Sequence, residues 1–386
     1  MKPSMTVCAI LFCLCLFGMA VAFWALPKKE FSAVEKRALQ PLPKGRISDV
    51  LSGDFQRQFD AFYADQFPLR TELVGWKARA EILLGKEENN GILLGAGGRL
   101  ARRRFDMRTP EGVLAGVDFP SEAQISAACA GILRANANLS VPFAALLTGR
   151  NVDVCPSAFS YPSDFSDRLN AAVRAQLDGQ VAAPDLVSLF RASGDGLYYR
   201  TDHHWTTAGA YLGYCAAMEA LGNAAAVLPA GAFRRTVVSD SFYGTLWAAG
   251  GMQWVPPDTV ELWLLGNESD FAVVADGVPL DGFYDRSRLS GCDHYALFLG
   301  GTHDVVEIRR QGAGDRPRLL VLRDSFGSSL APFLAQHYDL VLLNLSSTRR
   351  DFTDLSALAR DYNADAVLLV YTLENLLTAA KLERLR

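Results

Sequence analysis

The segment from Thr201 to Thr206 places a carboxylate and an imidazole at a spacing that suits acid–base chemistry. Asp202 and His204 lie two positions apart, and in extended backbone side chains at this spacing leave the same face. Asp202 can then bond one ring nitrogen of His204 and leave the other free as a general base, while His203 faces the other way. The pair therefore predicts an oriented base, which requires a nucleophile elsewhere in the chain.

A candidate nucleophile follows a short apolar run near the C-terminus. Residues 319–322 predict a strand, and a helical pattern begins after Asp324 and Ser325, so Ser325 is expected in the first turn of a helix. Backbone N–H groups there point at the oxyanion that acyl transfer generates. Gly300 and Gly301 are candidates for a further oxyanion-hole donor beside Ser325, because glycine lets a backbone N–H approach closely. A turn-forming glycine pair is the alternative.

The Asp-His-His cluster also fits a metal site or a purely structural role. Against a metal, neighbours on a strand point apart and no spaced Cys or His partners occur elsewhere, so no metal or cofactor is expected. In the structural role, Asp202 caps a helix and His204 is a hydrogen-bonded core imidazole, since two threonines precede the helical run 208–221. The Asp-Ser pair after a strand favours catalysis. Asp324 is expected to bond the backbone around the serine.

The two motifs resemble those of the DHHW proteins and of the alginate O-acetyltransferase group, whose SGNH-hydrolase-like domain is permuted so that Asp-x-His precedes the serine. Further matching segments are Phe31–Pro43 with Glu35, Arg37 and Leu39, then Asp65–Arg70, Phe242–Leu246 and Phe298–Gly301. One departure is Arg323, which stands where SGNH enzymes commonly have glycine. The resemblance implies that Asp202, His204 and Ser325 are the catalytic residues.

The same resemblance implies a function and a partner. The expected fold is SGNH-hydrolase-like, that is flavodoxin-like, and the expected activity is transfer of an acetyl group to an envelope or secreted polysaccharide. Family members are thought to receive acetyl groups through a membrane-bound O-acyltransferase, so such a partner is expected. Two alternatives stay open: a carbohydrate esterase with the same triad, and a catalytically inactive glycan-binding or assembly subunit.

The remaining sequence alternates strand-like and helical segments. Strands are predicted at Val141–Thr148, Pro184–Leu189, Leu319–Leu322, Leu340–Leu345 and Ala366–Tyr371. Helices are predicted at 121–136, 164–177, 206–221, 328–336, 352–361 and 373–384. This alternation predicts an α/β fold with a mainly parallel sheet covered on both faces. Catalytic groups then lie at the carboxyl ends of strands, where Ser325 is expected.

The chain divides into three predicted parts. Residues 1–27 form a signal anchor or signal peptide, 28–86 a linker and a helical segment, and 87–386 the α/β domain. Within the last part, residues 223–317 predict a β-rich insertion with strands at Thr259–Leu265, Phe271–Ala275 and Asp304–Arg309. The insertion either lies across the active site and binds substrate or is a connecting subdomain.

Composition describes a globular protein. The chain has 386 residues, of which 50% are hydrophobic and 21% charged, enough for one large α/β domain with insertions. The net charge of -4 gives no basic stripe, so nucleic acid is not an expected partner.

The N-terminal segment indicates export. An uncharged apolar run from Met5 to Leu26 is long enough to cross a bilayer, and Pro27-Lys28-Lys29 follows it. An uncleaved anchor through residues 5–26 is favoured over a cleaved signal peptide, for which Ala20-Val21-Ala22 resembles a cleavage site. The main domain is then expected outside the cytoplasm, either membrane-anchored or, after cleavage, secreted or periplasmic.

Seven cysteines divide between these parts. Three lie in the apolar run, whereas Cys129, Cys155, Cys215 and Cys292 lie in the exported part. An oxidising compartment could pair these four in three ways, and the sequence selects none of them.

Overall fold

The computed structural model describes residues 3–103, 105–109, 112–117, 119–160, 164–347, 349–378 and 381–386. The chain forms two compact units. The first comprises Met1–Lys86 with Gly251–Trp254, and the second comprises Glu87–Gly250 with Val255–Arg386. We call them the N-terminal unit and the α/β unit.

The N-terminal unit is mainly helical. Its helices are α1 (Pro3–Ala25), α2 (Ile47–Ser52), α3 (Asp54–Asp65) and α4 (Arg70–Leu83), and its two short strands β1 (Phe31–Ser32) and β2 (Arg37–Ala38) form an antiparallel pair. Within α1, Met5–Ala25 is long and apolar enough to cross a membrane, the one helix of this kind in the described residues. The end of α1 is packed, since the Phe23 ring contacts those of Phe62 and Tyr63 in α3.

Two family-like motifs of this unit meet in an ion-pair cluster. Arg37 donates to both carboxylate oxygens of Asp65 at 2.9 and 2.5 Å and to Glu35 at 2.7 Å. Arg70 lies 3.1 Å from the other oxygen of Glu35. The hydrogen bonds from Arg37 hold the pKa of Asp65 below its usual range. The cluster ties the β1–β2 segment to the ends of α3 and α4, so these motif residues have a structural role.

The α/β unit contains the remaining elements. Its helices are α5 (Glu122–Asn138), α6 (Asn151–Val154), α7 (Asp164–Leu177), α8 (Leu186–Ala192), α9 (Thr207–Ala220), α10 (Thr245–Gly250), α11 (Phe326–Leu334), α12 (Leu355–Asp361) and α13 (Leu373–Thr378). Three small antiparallel sheets use β3 (Glu88–Asn89), β4 (Ile92–Leu94) and β5 (Leu100–Arg102), then β6 (Phe105–Thr109) with β7 (Gly112–Val117), and β9 (Arg234–Phe242) with β10 (Asp258–Leu264).

The central sheet of this unit has seven strands. They are β8 (Phe143–Thr148), β11 (Phe271–Ala275), β12 (Val278–Leu280), β13 (Val305–Arg310), β14 (Arg318–Arg323), β15 (Asp339–Asn344) and β16 (Ala366–Thr372), in the spatial order β12-β11-β13-β15-β14-β16-β8. Strands β15, β14, β16 and β8 are parallel, whereas β12, β11 and β13 are joined antiparallel. The sheet is therefore mixed.

Both faces of the central sheet are covered, and this burial accounts for its apolar strands. Val321 of β14 belongs to a core with Tyr214 of α9 and Leu330 of α11, while Leu320 belongs to another with Ile132 of α5. A strand that is buried on both faces has a continuous run of apolar residues, whereas a strand with one exposed face alternates apolar and polar residues. The carboxyl end of β14 thus lies inside the sheet, between β15 and β16, and leads through Asp324 and Ser325 into α11.

The predicted α/β fold is confirmed in outline, with corrections. Most predicted strands and helices are present near their predicted bounds. The sheet is mixed because three strands of the predicted insertion extend it, and residues 379–380 of the predicted helix 373–384 lie outside the described residues. The predicted strand Pro184–Leu189 is wrong. Helix α8 occupies this region, because the Asp185 side chain accepts the Ser188 N–H and caps it.

The cysteine thiols are unpaired. All seven cysteines lie in described parts of the chain and are free. Cys129 of α5 is buried in the core, and its burial raises the pKa of the thiol to about 11.

Candidate active site

The three predicted catalytic side chains meet in the α/β unit. His204 Nδ1 lies 2.6 Å from Asp202 Oδ1, and His204 Nε2 lies 2.6 Å from Ser325 Oγ. The side chains of Asp202 and His204 are almost fully buried, with 2% and 7% of their surface exposed. Because the carboxylate only accepts, Nδ1 carries the proton and Nε2 presents a lone pair to the serine hydroxyl. The arrangement is that of a nucleophile, a base and an orienting carboxylate.

Asp202 receives four hydrogen bonds. Its Oδ1 accepts from the ring and the backbone N–H of His204, and its Oδ2 accepts from the backbone N–H of Thr245 at 2.7 Å and the Thr245 hydroxyl at 3.0 Å. Burial alone would raise the pKa of Asp202, but the two imidazoles and these donors lower it well below its usual value. The group is therefore a fixed carboxylate suited to holding an imidazolium.

The local backbone differs from the predicted strand. Residues 201–204 form a bend, and Asp202 reaches His204 because its Oδ1 also accepts the backbone N–H two residues on, as in an Asx-turn. His203 does not face away, because its ring centroid lies 3.8 Å from that of His204. Its Nδ1 bonds the Thr245 hydroxyl at 2.8 Å, which already donates to Asp202, so His203 donates from Nδ1.

The His203 ring borders the triad on its solvent side. Its side chain keeps 42% of its surface exposed. Desolvation of the covered part and the neighbouring His204 lower the pKa of His203. His203 is thus a neutral imidazole at neutral pH.

A second carboxylate holds the bend in place. Asp258 accepts from the backbone N–H groups of Arg200 and Thr201 at 2.8 and 2.7 Å and from the Thr201 hydroxyl at 2.5 Å. That hydroxyl also accepts the N–H of Gly244 at 2.9 Å. A Cβ atom on Gly244 would lie only 2.3 Å from Asp202 Cβ, so only glycine allows this close approach.

The serine turn is held by its own neighbour. Asp324 accepts the backbone N–H groups of Phe326 and Thr372 at 3.0 and 2.9 Å and the side-chain amide of Asn375 at 2.9 Å. This confirms the predicted structural role of Asp324, although burial raises the pKa of the carboxyl. Ser325 stands at the N-cap position of α11, but its hydroxyl does not cap the helix and bonds His204 instead.

An aromatic ring supports the base from one face. The Tyr295 ring stacks on the His204 ring with centroids 3.6 Å apart and planes 7° apart. The Tyr295 hydroxyl donates to the Ser325 carbonyl at 3.1 Å and lies 3.0 Å from Ser329 Oγ, which accepts the Trp205 indole N–H. Tyr295 therefore fixes the plane of the imidazole and the backbone of the nucleophile together. Trp205 is fully buried and packs in the core.

The predicted oxyanion-hole residues lie in different settings. Among the described hydrogen bonds, none uses the Ser325 backbone N–H, which leaves it available to an oxyanion. Gly300 and Gly301 have φ angles of 74° and 113°, and the Gly301 N–H bonds the Phe298 carbonyl at 3.4 Å. They form a turn, and no described contact joins them to Ser325.

Arg323, which departs from the family-like pattern, is buried at the end of β14. Its Nη1 donates to Ser328 Oγ at 3.0 Å, while its Nε and Nη2 have no partner among the described residues. Burial lowers the pKa of the guanidinium. A Cβ atom on Gly327 would lie 2.6 Å from Arg323 Cβ, so glycine at 327 accommodates this side chain beneath α11.

The Asp-His-His cluster offers one possible ligand atom from each residue within 4.8 Å of the others. The neighbouring side chains therefore do not point apart, contrary to the prediction from the sequence. What speaks for a triad is that both ring nitrogens of His204 and both oxygens of Asp202 already have hydrogen-bond partners, including Ser325. A metal ion would have to break these bonds.

Sequence reasoning missed the residues that position the triad. Thr245 and Gly244 lie in the segment Phe242–Leu246, which the family resemblance marked but to which it assigned no role. Asp258 and Tyr295 carry no local signal, because their partners lie about 57 and 30 positions away in the chain.

The chain resembles known proteins in sequence and in fold. The sequence model of the DHHW protein family matches residues 175–344, which include all three triad residues. A DHHW family protein from Eubacterium siraeum has a similar structure, with 17% identity, a TM-score of 0.55, and coverage of 76% of this chain and 98% of that one. The structure of Bacillus cereus PatB1 with a sulfonyl adduct is also similar, with 19% identity and a TM-score of 0.60. The match covers 76% of this chain and 98% of that one.

The similarity to these two structures shows that this chain shares their fold. The O-acetyltransferase domain of Pseudomonas putida AlgJ is also similar, at 17% identity and a TM-score of 0.43, over 74% of this chain and 92% of that one. No curated protein sequence matches the chain. The match of residues 175–344 to the DHHW protein family model agrees with the family that the sequence motifs predict.

Proposed function

We propose that this chain is an exported, SGNH-type serine acyltransferase that O-acetylates an envelope or secreted polysaccharide. One observation carries the proposal: Asp202, His204 and Ser325 form a continuous relay with both heavy-atom distances at 2.6 Å. A base within hydrogen-bond reach of a hydroxyl, itself oriented by a carboxylate, is the arrangement that activates a serine. The choice of a polysaccharide acceptor follows the resemblance to the alginate O-acetyltransferase group.

In the first half-reaction Ser325 takes the acyl group. Its hydroxyl proton passes to His204 Nε2 as Oγ attacks the acyl carbon, and the Ser325 N–H is placed to stabilise the oxyanion. The imidazolium then gives the proton to the departing group, which leaves an acyl-serine. Asp202 remains a carboxylate and stabilises the charged ring throughout.

The second half-reaction runs the same steps in reverse. A sugar hydroxyl gives its proton to His204 Nε2 and attacks the acyl carbon, and Ser325 leaves with the proton returned by the imidazolium. Water in place of the sugar gives an esterase with the same triad. We propose transfer over hydrolysis on the strength of the family resemblance, which also implies a membrane-bound O-acyltransferase as the source of acetyl groups.

The proposed setting is the membrane surface outside the cytoplasm. Residues 5–26 would anchor the chain as a single span, with the α/β unit exported; cleavage of this segment would give a secreted or periplasmic protein. The length and apolar character of Met5–Ala25 support either form.

The test combines two assays of Ser325→Ala. Turnover of a small acetyl ester by the purified protein should fall to background, and acetyl content of the cell's polysaccharide should fall in a strain carrying the variant. Ser290→Ala is the control, because Ser290 is exposed and its hydroxyl donates to the Ser287 carbonyl, away from the triad. Unchanged values for Ser325→Ala in both assays would leave a glycan-binding subunit as the better account.

An acceptor experiment separates transferase from esterase. With a transferase, adding an oligosaccharide diverts acetyl groups from water to the sugar and yields an O-acetylated product. If acetate remains the sole product at saturating acceptor, the chain is an esterase.

A further inference from the structure

Helix α4 of the N-terminal unit exposes its large apolar side chains and buries its small ones. Large side chains along it and at its two ends are exposed: Leu69 at 63%, Leu73 at 38%, Trp76 at 72%, Leu83 at 80% and Leu84 at 88%. The residues that it buries are Gly75 and Ala78. A helix of a soluble domain has the opposite arrangement, with the apolar stripe inward.

The exposed side chains form one stripe. With 3.6 residues per turn, positions 69, 73, 76, 80, 83 and 84 fall within an arc of about 100°. The opposite side of the helix is already occupied inside the same unit, where Gln253 donates to the Thr71 carbonyl at 2.6 Å and its side chain covers Gly75. The orientation of α4 is thus fixed by contacts, and we call residues 69–84 on its outer side the α4 stripe.

This exposure is concentrated in the N-terminal unit. Among the described residues of the α/β unit, only Val237 and Val278 are large hydrophobic residues with exposed side chains. Large exposed apolar patches mark surfaces that are covered in the working protein, by another protein or by a membrane.

Charge favours a membrane as the covering surface. Residues 27–86 contain eleven Lys and Arg against eight Asp and Glu, whereas residues 87–386 contain twenty-six against thirty-four. The segment that carries the α4 stripe is therefore net positive in a chain that is otherwise acidic. Apolar side chains together with basic residues are typical of segments that lie on anionic bilayers, and Trp76 suits the headgroup region.

The beginning of α4 is held close to the end of α1. The Gln66 side chain exchanges two hydrogen bonds with the backbone of Lys29, at 3.0 and 2.8 Å. Four residues later Arg70 pairs with Glu35. Residues 29–35 leave the apolar helix α1 within ten positions of its end at Ala25, so the α4 stripe begins next to the point where the span would emerge.

We propose that the α4 stripe lies on the surface of an anionic lipid bilayer, as a second membrane contact beside α1. The inference rests on the proposed membrane span and is independent of the chemistry proposed for the triad. The N-terminal unit then lies against the bilayer and is not a free linker.

Photo-crosslinking tests the contact in the full-length chain. A benzophenone amino acid replaces Leu83 in protein reconstituted into nanodiscs of phosphatidylcholine and phosphatidylglycerol, and Leu84 provides a second position. Both side chains are exposed, so the substitution opens no core. Val278, exposed in the α/β unit, is the matched control. We expect lipid adducts at 83 and 84 at several times the yield at 278, with a lower yield in pure phosphatidylcholine.

The possible failures are distinguishable. A chain that does not co-purify with nanodiscs refutes the span on which the inference rests. A chain that co-purifies but gives no more lipid adduct at 83 and 84 than at 278 refutes the membrane contact. Adducts to this chain or to a second copy would also overturn it, because the α4 stripe would then be a protein interface.

Discussion

Asp202→Asn should remove nearly all activity while leaving the protein folded. Both oxygens of Asp202 face donors: Oδ1 accepts two N–H groups of His204, and Oδ2 accepts the N–H and hydroxyl of Thr245. An asparagine must place its NH₂ against one of these sets. If the NH₂ group lies beside His204, it donates to Nδ1, and the ring adopts the tautomer with the proton on Nε2. Nε2 can then no longer accept the hydroxyl proton of Ser325.

The structure sets the expected losses of activity and of folding stability. Loss of the correct tautomer in a serine triad costs about 10⁴-fold in kcat, equivalent to about 5 kcal/mol. Folding should lose less, about 1–3 kcal/mol for one buried donor without an acceptor. The assay is acetyl-ester turnover alongside urea unfolding. Asp258→Asn is the matched control, since Asp258 also accepts backbone donors of this bend but does not touch His204. A folded Asp202→Asn enzyme within tenfold of the wild type would refute the reasoning.

Four further outcomes follow from the structure. Tyr295→Phe keeps the ring on His204 and should cost less than about tenfold in kcat, whereas Tyr295→Leu removes the stacking and should cost more; equal losses would contradict the stacking role. Gly244→Ala should displace Asp202 and reduce kcat at least about 100-fold, since a 1 Å misplacement costs that much; near-normal turnover would contradict the close approach. Asp65→Asn should destabilise the N-terminal unit at pH 7. Because the folded pKa of Asp65 lies below its unfolded value of about 3.9, this difference should begin to shrink near that value and be lost as the pH falls through the folded pKa, and a difference in melting temperature that does not shrink with falling pH would be inconsistent. Cys129 should resist maleimide in the native protein, because the thiol is buried with a pKa of about 11, and prompt labelling would contradict its burial.

The sequence indicated the triad for a partly incorrect reason. Asp202 and His204 do act on one another, but through a bend in which the carboxylate also binds the backbone two residues on, and not through a strand. Local residue types were enough because both geometries bring positions i and i+2 together. The strand before Ser325 was predictable from its apolar run, since burial on both faces of the sheet imposes that pattern.

What the sequence could not predict depends on contacts between distant segments. Nothing near Tyr295 in the chain indicates that its ring covers His204, and the glycine pair at 300–301 is as typical of a turn as of an oxyanion hole. The error at 184–189 is of another kind. An apolar run of six residues suits a strand or a helix, and the cap formed by Asp185 decided the outcome.

The most direct test of the central claim is to trap the acyl-enzyme. The protein is mixed with a small activated acetyl ester, quenched in acid within the first turnover, digested and analysed by mass spectrometry. We predict one added acetyl group on the peptide that contains Ser325, with no label in Ser325→Ala and a much slower appearance in His204→Ala. Ester turnover with an unlabelled Ser325, or an acetyl group carried by another residue, would contradict the account.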